Sequence, residues 1–479
     1  MGFSTEEIAR IVTRVVNQLE DSSSGKSDPN PSDPGKFSHV EFGGRLLGSY
    51  SSISSCVEKS TKAFEKFSSC SVSQRENMIR EIRKICLDHL EKLAKMAWEE
   101  TGMGRWKDKI EKNRLVIEKT PGTEDLQPRA YSGDFGLTLS ENAPYGVIGS
   151  ITPTTNPTET IINNSIGMIA GGNAVVFNPH PRARRSCCFT VHLVNTAIQA
   201  CGGPADLITI MEEPSMESGQ ELMQHPGIRI LVVTGGPGIV KAAFASGKKV
   251  IAAGPGNPPA VVDETADLDE AATNIIAGAS LDNNILCTAE KEILVVDSVA
   301  DAFVQALKRH GGYHVIGSNV TKLENLIYSE GKINAKLIGQ DAAFILAQIG
   351  IEVPETIRMG FIECEFDHFL VRTEQMMPIL PVVRCKDVGQ AIDRAIQAEK
   401  GNFHTATMHS KNLDALHEMA VRSNVSIFVK NGPQFAGLGM GGEGHCTMTI
   451  AGSTGEGLTT ARSFTRSRRC VLKGHFRIV

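Results

Sequence analysis

From about residue 50 onward, short apolar segments alternate with helical patterns, and this alternation restricts the folds that the chain can adopt. Four of the segments are predicted to be buried strands: 147–151, 174–177, 207–211 and 228–233. One long helix is predicted over 73–100, and a second over 189–200 ends at Gly202 and Gly203. A second set of strands and helices follows Pro258. Because strands that alternate with helices form mainly parallel sheets, the sequence predicts an α/β fold.

Length and composition exclude several classes of protein. The chain has 479 residues, more than a single hydrophobic core usually serves, so two or three domains are expected. A net charge of −5 argues against a nucleic-acid-binding protein. No apolar run approaches the roughly 18 residues of a membrane span, and no secretory signal pattern begins the chain. The 11 cysteines include no C-x-x-C pair, so neither a disulfide framework nor a metal site is predicted, and a reducing compartment is expected.

The first 36 residues form two segments that differ from the rest. Residues 1–20 are predicted to be an amphipathic helix, because Ser4 and Glu7 fit a capping box and apolar residues then recur at helical spacing. Residues 21–36 are rich in serine, proline, glycine and aspartate and are predicted to be a flexible linker. The helix is either a targeting segment or an element docked on its own domain or on a sister subunit, and the linker favours targeting.

Cys287 is the candidate nucleophile. It ends the motif Asp-Asn-Asn-Ile-Leu-Cys at 282–287, which lies downstream of a glycine- and proline-rich segment at 252–259. Two further motifs are Thr-Pro-Thr-Thr-Asn-Pro at 152–157 and Glu-Gln-Met-Met-Pro at 374–378. A thiol attacks a carbonyl carbon as the thiolate, so it needs a lowered pKa or a nearby base. A single cysteine is more often a buried and inert residue, and only the surrounding motif favours function here.

Together these motifs resemble the active site of the aldehyde dehydrogenase superfamily, and they are most similar to the CoA-acylating aldehyde dehydrogenases of bacterial microcompartments. The resemblance covers about residues 45–479 and includes two further motifs, at 426–433 and 437–444. It implies an aldehyde dehydrogenase-like fold with a Rossmann-like cofactor domain, an α/β catalytic domain and a small oligomerisation element. The expected units are a dinucleotide-binding domain over 37–252 with an oligomerisation hairpin at about 126–143, a catalytic domain over 253–450, and a C-terminal oligomerisation tail over 451–479.

The resemblance implies catalytic roles for Cys287 and Asn156. Cys287 would attack the aldehyde. The side-chain amide of Asn156 and the backbone N–H of Cys287 would then stabilise the negative oxygen that forms. The alternative for Asn156 is a turn asparagine before Pro157, which is a common use of this residue.

Oxidation of the aldehyde would leave an acyl group on Cys287, and an absent carboxylate indicates which molecule removes this group. In hydrolytic relatives the segment aligned with 250–258 carries a glutamate that activates water, whereas that position here is Ala252. Water without a base is a poor nucleophile at neutral pH, while the thiol of CoA can take the acyl group by thioester exchange. The alternative is that another carboxylate, for instance Asp282 or Glu290, lies beside Cys287 in the folded chain.

A glycine-rich loop is the first part of the predicted NAD site. It follows a strand and precedes a helix, which suits a diphosphate bound at a helix N-terminus, and the resemblance aligns it with the dinucleotide loop of the superfamily. The predicted cofactor-binding residues of this loop are Thr234, Gly235, Gly236, Pro237 and Gly238. Such glycine turns are common, so the loop alone is a weak indication.

Two other segments complete the predicted NAD site. Glu374 aligns with the glutamate that binds the nicotinamide ribose, and the alternative is a solvated surface carboxylate. The lysine that contacts the adenosine ribose in hydrolytic relatives is replaced within 177–181, where Pro179 and His180 are assigned to the cofactor site. The alternative for His180 is a structural histidine between two prolines, and the choice between NAD and NADP stays open.

The basic tail has two interpretations. Its charges are expected at a subunit contact, and contact with the phosphates of CoA is the alternative. The residues concerned are Arg462, Arg466, Arg468, Arg469, Lys473 and Arg477. His404 and His409 receive no assignment.

The sequence therefore predicts an NAD-dependent CoA-acylating aldehyde dehydrogenase that converts propionaldehyde or acetaldehyde to acyl-CoA and NADH through a thioester on Cys287. The expected partners are the aldehyde, CoA, microcompartment shell or core proteins that contact residues 1–20, and further copies of the chain in a homodimer or homotetramer. Neither nucleic acid nor membrane is expected. The expected location is the lumen of a bacterial microcompartment in the cytoplasm. The alternatives are a hydrolytic aldehyde dehydrogenase and a non-catalytic microcompartment scaffold.

Overall fold

The structure is a computed structural model that describes residues 45–329 and 331–479. The predicted targeting helix over 1–20 and the linker over 21–36 lie outside the described residues. Within the described part of the chain, no helix is long and apolar enough to cross a membrane. The same residues contain no group of three or more His, Cys, Asp or Glu side chains that could hold a metal ion.

Strands and helices alternate through most of the described chain. The strands are β1 Ser49–Tyr50, β2 Arg129–Gly133, β3 Gly136–Pro144, β4 Val147–Thr152, β5 Ala174–Pro179, β6 Ile208–Met211, β7 Ile230–Thr234, β8 Lys249–Ala253, β9 Pro259–Val262, β10 Glu292–Val296, β11 Gly312–His314, β12 Tyr328–Ser329, β13 Lys332–Ile333, β14 Met359–Glu363, β15 Ile379–Cys385, β16 Thr405–His409, β17 Ile427–Lys430, β18 Ile450–Ala451, β19 Gly457–Leu458 and β20 Thr465–Lys473. The helices are α1 Ile53–Phe67, α2 Val72–Asp88, α3 Leu90–Thr101, α4 Trp106–Lys119, α5 Pro157–Ala170, α6 Arg184–Ala200, α7 Met216–Gln224, α8 Pro237–Ala245, α9 Leu268–Ser280, α10 Asp297–Arg309, α11 Ser318–Ile327, α12 Ala342–Ala347, α13 Phe369–Arg372, α14 Val388–Glu399 and α15 Leu413–Ser423.

The first sheet contains six parallel strands in the order β1-β6-β5-β4-β7-β8. Strands β4, β5 and β6 are buried along their whole length, as expected for a parallel sheet covered on both faces. The strand order reverses between β4 and β7. In open α/β sheets, ligands bind at such a reversal, beyond the carboxyl ends of the strands. The fold therefore places a binding crevice where β4 and β7 end.

The second sheet contains seven parallel strands in the order β11-β14-β15-β10-β9-β16-β17. Strand β8 ends at Ala253, and β9 begins at Pro259 after a short glycine- and proline-rich connection. This connection joins the carboxyl end of a strand in the first sheet to the amino end of a strand in the second. The segment that precedes the neighbouring strand β10 lies at that same edge, so the two sheets meet around residues 281–291.

A third sheet is antiparallel and has the order β2-β3-β20. Strands β2 and β3 form a hairpin, and β20 pairs with β3 from Thr465 to Lys473, so that the C-terminal strand is held by its own chain. From Arg466 onward β20 is exposed to solvent. With its two parallel sheets and alternating helices, the described chain confirms the predicted α/β class.

The predicted helix over 73–100 is two helices in the structure, α2 and α3, and the prediction of one continuous helix was wrong. His89 separates them with φ −109° and ψ 14°, outside the helical range. Its ring nitrogen Nδ1 lies 2.9 Å from the carbonyl oxygen of Ile85, which also accepts from the backbone N–H of His89 at 3.2 Å, so the side chain and the backbone share one acceptor. The apolar spacing continues across this break, which is why the sequence pattern did not reveal it.

Candidate active site

The turn that carries Cys287 has an unusual backbone. Asp282, Asn283 and Asn284 have φ angles of 48°, 54° and 67°, so three successive residues occupy the left-handed region. Asp and Asn tolerate that region better than other residues with side chains. The side chain of Asn283 donates to the carbonyl of Gly339 at 2.9 Å. This hydrogen bond and those of Lys291 and Asn284 hold the turn between α9 and β10 in one conformation.

Lys291 is buried beneath the same turn and stabilises it with hydrogen bonds. Its buried ammonium donates to the backbone carbonyl of Asn284 at 2.7 Å, to the side-chain oxygen of Asn284 at 2.6 Å, and lies 3.4 Å from the carbonyl oxygen of Leu286. The side-chain amide of Asn284 donates in turn to the carbonyls of Ala279 and Glu290, both at 2.8 Å. A buried cation thus contacts the backbone on the N-terminal side of the candidate nucleophile.

Cys287 is partly exposed, and its pKa is raised to about 12. Burial is the main cause, and the negative charge of Glu374 adds to it, while the positive charge of Lys291 opposes it. The carbonyl oxygen of Cys287 packs against Gly256, where a Cβ atom would approach it to 2.7 Å. In the protein alone, burial and the charge of Glu374 therefore favour the neutral thiol of Cys287, and its reactivity depends on the charges around it.

Glu374 lies beside Cys287, although 87 residues separate them in the sequence. Burial raises the pKa of Glu374, while the charge of Lys291 and a hydrogen bond from the backbone N–H of Gly256 lower it. Gly256 therefore touches both candidate residues, since its Cβ position faces Cys287. Glu374 is only partly buried, and a carboxylate accepts hydrogen bonds from a hydroxyl-bearing ligand.

Asn156 is the residue before α5, every residue of which is buried. Its side-chain amide nitrogen donates to the hydroxyl of Thr155 at 3.1 Å, and its side-chain oxygen is buried without a partner among the described residues. Lys112 links this segment to the turn of Cys287. Its ammonium lies 3.5 Å from the carbonyl oxygen of Thr155 and 2.6 Å from a carboxylate oxygen of Asp282. The two candidate catalytic residues therefore belong to segments that meet at one buried lysine.

The predicted diphosphate loop lies at the carboxyl end of β7, at the reversal of strand order. Gly236 precedes α8, and no side chain from residues 45–329 or 331–479 caps the first turn of this helix. Within the same residues, a Cβ atom on Gly236 would meet nothing within 4 Å. The hydroxyl of Thr234 lies 3.5 Å from that of Thr449. Uncapped N–H groups next to open space are suited to bind an anionic oxygen.

Pro179 and His180 lie at the end of β5, next to β4. The backbone N–H of His180 donates to the carbonyl of Thr152 at 3.1 Å, and its ring nitrogen Nδ1 accepts from the backbone N–H of Arg182 at 3.1 Å. The loops after β4, β5 and β7 thus follow one another along a single edge of the first sheet. Every predicted cofactor-binding residue except Glu374 lies on this edge.

The alternative carboxylates named from the sequence are both bound by other groups. Burial alone would raise the pKa of Asp282, but the neighbouring Lys109 and Lys112 lower it overall. Burial raises the pKa of Glu290 to about 8, and its carboxyl accepts from the backbone N–H of Gln434 at 2.9 Å. Neither side chain is exposed.

Ala252 stands where hydrolytic relatives carry a glutamate, and hydroxyl groups of the C-terminal segment contact its backbone. Ala252 is buried near the end of β8, and its backbone N–H donates to the hydroxyl of Thr454 at 3.2 Å. Its carbonyl accepts from the hydroxyl of Ser453 at 3.2 Å. The C-terminal segment therefore covers this strand edge with hydroxyl groups, which are not bases at neutral pH.

Three lysines in this region were not singled out from the sequence: Lys109, Lys112 and Lys291. Each is fully buried, whereas lysines are mostly exposed in proteins. The position of Lys291 just before a strand of apolar residues was the one available indication. His404 and His409 are buried neutral histidines whose pKa is lowered to about 4 by burial.

The chain is similar to known aldehyde dehydrogenases in both sequence and structure. Residues 36–323 match the model of the aldehyde dehydrogenase family. An acetaldehyde dehydrogenase (acetylating) from Bilophila wadsworthia is 47% identical over 445 residues, which are 90% of this chain and 92% of the relative. A structure of propionaldehyde dehydrogenase from Rhodopseudomonas palustris, with bound CoA and an acylated cysteine, has a TM-score of 0.88 and 50% identity over 89% of this chain and 98% of that one. A propionaldehyde dehydrogenase from the fucose utilisation microcompartment of Clostridium phytofermentans has a TM-score of 0.89 and 47% identity over 90% and 100%.

Proposed function

The chain belongs to the aldehyde dehydrogenase family, and we propose that it is a CoA-acylating enzyme that oxidises a short-chain aldehyde, propionaldehyde or acetaldehyde, with NAD. One observation carries the proposal. Cys287 is a partly exposed thiol, and the two carboxylates considered from the sequence as alternative bases, Asp282 and Glu290, are fully buried, Asp282 being paired with two lysines and Glu290 accepting from the backbone N–H of Gln434. Because of this burial, neither side chain is exposed to a water molecule at the thiol. An acyl group on Cys287 is therefore expected to react with a stronger nucleophile than unactivated water, and the thiol of CoA is such a nucleophile.

The proposed reaction has two stages. Cys287 Sγ releases its proton to solvent and bonds to the carbonyl carbon of the aldehyde, and the electron pair of the C=O π bond moves to the oxygen, which becomes negative. The side-chain amide of Asn156 and the backbone N–H of Cys287 donate to that oxygen. Bound NAD supplies the hydride acceptor, and oxidation leaves a thioester on Cys287. The sulfur of CoA then bonds to the acyl carbon, the bond from that carbon to Cys287 Sγ breaks, and the thiol proton of CoA passes to Cys287, so that one thioester replaces another.

The residues of the crevice fit a nicotinamide dinucleotide. The uncapped start of α8 would bind the diphosphate through the backbone N–H groups of Gly236 and Gly238, while Pro237, which has no N–H, begins the helix. Glu374 would accept hydrogen bonds from the nicotinamide ribose, and Pro179 and His180 would line the adenosine side. Thr234, Gly235 and Gly238 complete the loop.

The negative charge of Glu374 raises the pKa of Cys287, so this carboxylate lies close enough to the thiol for its role to decide between acyl transfer to CoA and hydrolysis. Its hydrogen bond from the backbone of Gly256 points to a binding role. If it activated water instead, the enzyme would release a carboxylic acid without CoA. The proposal assigns it to the ribose.

The proposal extends to assembly and location. The similarity to an enzyme from a fucose utilisation microcompartment supports a location in a bacterial microcompartment, with residues 1–20 as the targeting helix. The exposed strand β20 supports a homodimer or homotetramer. Fusing residues 1–20 to a fluorescent protein in cells that build such compartments tests the targeting role, and diffuse fluorescence contradicts it.

The decisive experiment is mass spectrometry of the intact protein after incubation with propionaldehyde and NAD, without CoA. The expected result is one propionyl adduct on Cys287, stable until CoA is added and then converted to propionyl-CoA. Propionate formation at full rate without CoA would indicate hydrolysis. NADH formation that survives the Cys287→Ala change would remove the cysteine from the chemistry, and no NADH formation in the wild type would favour the scaffold.

A further inference from the structure

A buried cluster of four charged side chains connects the two segments that carry the candidate catalytic residues. It consists of Lys109 and Lys112 on α4, Asp282 in the turn of Cys287, and Glu159 on α5. All four are fully buried. Two ammonium groups face two carboxylates, so the cluster is electrically balanced. Buried ions are costly unless they are paired in this way.

Asp282 anchors the turn of Cys287 to α4. One carboxylate oxygen accepts from Lys109 at 2.9 Å and from Lys112 at 2.6 Å, and the other accepts from the backbone N–H of Arg105 at 2.7 Å. A Cβ atom on Gly104 would lie 1.9 Å from this carboxylate, so only glycine leaves room for it. The turn therefore cannot shift without moving Asp282 away from two cations.

Lys112 alone also reaches the segment of Asn156. Its ammonium lies 3.5 Å from the carbonyl oxygen of Thr155 and 3.6 Å from a carboxylate oxygen of Glu159 in the first turn of α5. Among the contacts of the described residues, Lys109 has its ion pair with Asp282 and none with this segment. The two lysines lie three residues apart on one helix face, yet only one of them bridges the two segments.

We propose that Lys112 is a positioning residue that sets the distance between the side-chain amide of Asn156 and the sulfur of Cys287, by binding Thr155 and Glu159 on one side and Asp282 on the other. This inference rests on the proposed function, because it needs Asn156 to stabilise a negative oxygen formed by attack of Cys287. A displacement of about 1 Å at such a site reduces rates by about 100-fold.

Lys109 provides the matched control. The changes Lys112→Met and Lys109→Met each remove one buried ammonium from Asp282 and leave the other in place. If the cluster only stabilises the fold, neither variant selectively impairs the stabilisation of the oxygen in the folded protein, whatever each loses in stability. If Lys112 positions Asn156, only its removal impairs the stabilisation of the oxygen.

Two reactions of Cys287 separate these roles without NAD, aldehyde or CoA. Acylation by 4-nitrophenyl acetate passes through a negative oxygen and needs Asn156. Alkylation by iodoacetamide is a displacement without such an oxygen and reports only the sulfur. The ratio of the two rates, after subtraction of a Cys287→Ala background, therefore measures the contribution of the oxygen-binding donor.

The expected result is a ratio lowered about 100-fold in Lys112→Met and changed by no more than about twofold in Lys109→Met. In an Asn156→Ala background, Lys112→Met should have no further effect. Thermal unfolding checks that both variants are folded. Lys112→Arg keeps the charge and is expected to recover part of the ratio, which also serves if the methionine variant does not fold.

Equal ratios in the two lysine variants, or a full additional loss in the Asn156→Ala background, would overturn the inference. The proposed function fails by a different observation, which is the absence of acyl-CoA formation by the wild type. That result leaves the ester and iodoacetamide rates unchanged, so the two failures are distinguishable.

Discussion

Lys291 donates hydrogen bonds to both oxygens of Asn284, the backbone carbonyl at 2.7 Å and the side-chain oxygen at 2.6 Å. This contact places a buried ammonium behind a turn that ends three residues later at Cys287. It stabilises a left-handed residue, since Asn284 has φ 67°, and it sets a positive charge near the sulfur. Four predictions follow from this environment and from the carboxylates that share it.

The change Lys291→Met should slow alkylation of Cys287. The positive charge of Lys291 lowers the pKa of this thiol, so its loss reduces the fraction of thiolate, by about tenfold for each unit of pKa at a given pH. The rate is measured with iodoacetamide on the peptide that contains Cys287. Lys291→Arg keeps the charge and is the control. An unchanged rate in Lys291→Met would show that its charge does not reach the sulfur.

Alkylation of Cys287 in the protein alone should rise with pH without a plateau near neutrality. Burial raises the pKa of this thiol to about 12, so the reactive thiolate is the minor form throughout the physiological range. The rate is expected to increase about tenfold per pH unit between about pH 7 and pH 9. A plateau below about pH 8 would mean that the thiolate is already formed in the resting protein.

Glu374→Gln should raise the KM for NAD and leave the requirement for CoA intact. The amide is a poorer acceptor for ribose hydroxyl groups, which weakens cofactor binding. The same change should speed alkylation of Cys287, because the charge of Glu374 raises the pKa of the thiol. Both are measured on one preparation. Wild-type acid formation that disappears in Glu374→Gln would instead identify this residue as the base of a hydrolytic reaction.

Glu290→Gln should stabilise the protein increasingly as the pH rises. Burial raises the pKa of Glu290 to about 8 in the folded chain, from an ordinary value of 4.5. Between these two values the folded state holds a proton that the unfolded state has released, so wild-type stability falls with rising pH. The glutamine does not titrate.

The gain of Glu290→Gln over the wild type is therefore expected to grow by about 1 kcal/mol per pH unit from about pH 5 to pH 8. Urea unfolding at several pH values measures it. A constant difference would mean that Glu290 is ionised in the folded protein.

Local patterns in the sequence were sufficient to predict much of the architecture. The buried strands around 147–151 and 174–177 were recognisable because a strand covered on both faces has an apolar residue at nearly every position. The same reasoning failed at His89, because the break has neither proline nor glycine to mark it and the apolar spacing continues across it.

The chemistry of the site was only partly visible in the sequence. The motif at 282–287 and the absence of a carboxylate at Ala252 were open to inspection, because nucleophile and base are defined by residue type. The roles of Asp282 and Glu290 were not. Each was a candidate base until the fold showed Asp282 between two lysines and Glu290 against the backbone of Gln434.

By itself, the sequence determined the fold class and the family and predicted the nucleophile, since residue type and short-range spacing carry this information. Only the tertiary structure decided which charges surround the sulfur. Glu374 acts on Cys287 from 87 positions away, and Lys112 joins two segments that come from different sheets. The physical reason is that electrostatic interactions depend on distance and burial in space, and chain separation does not measure either.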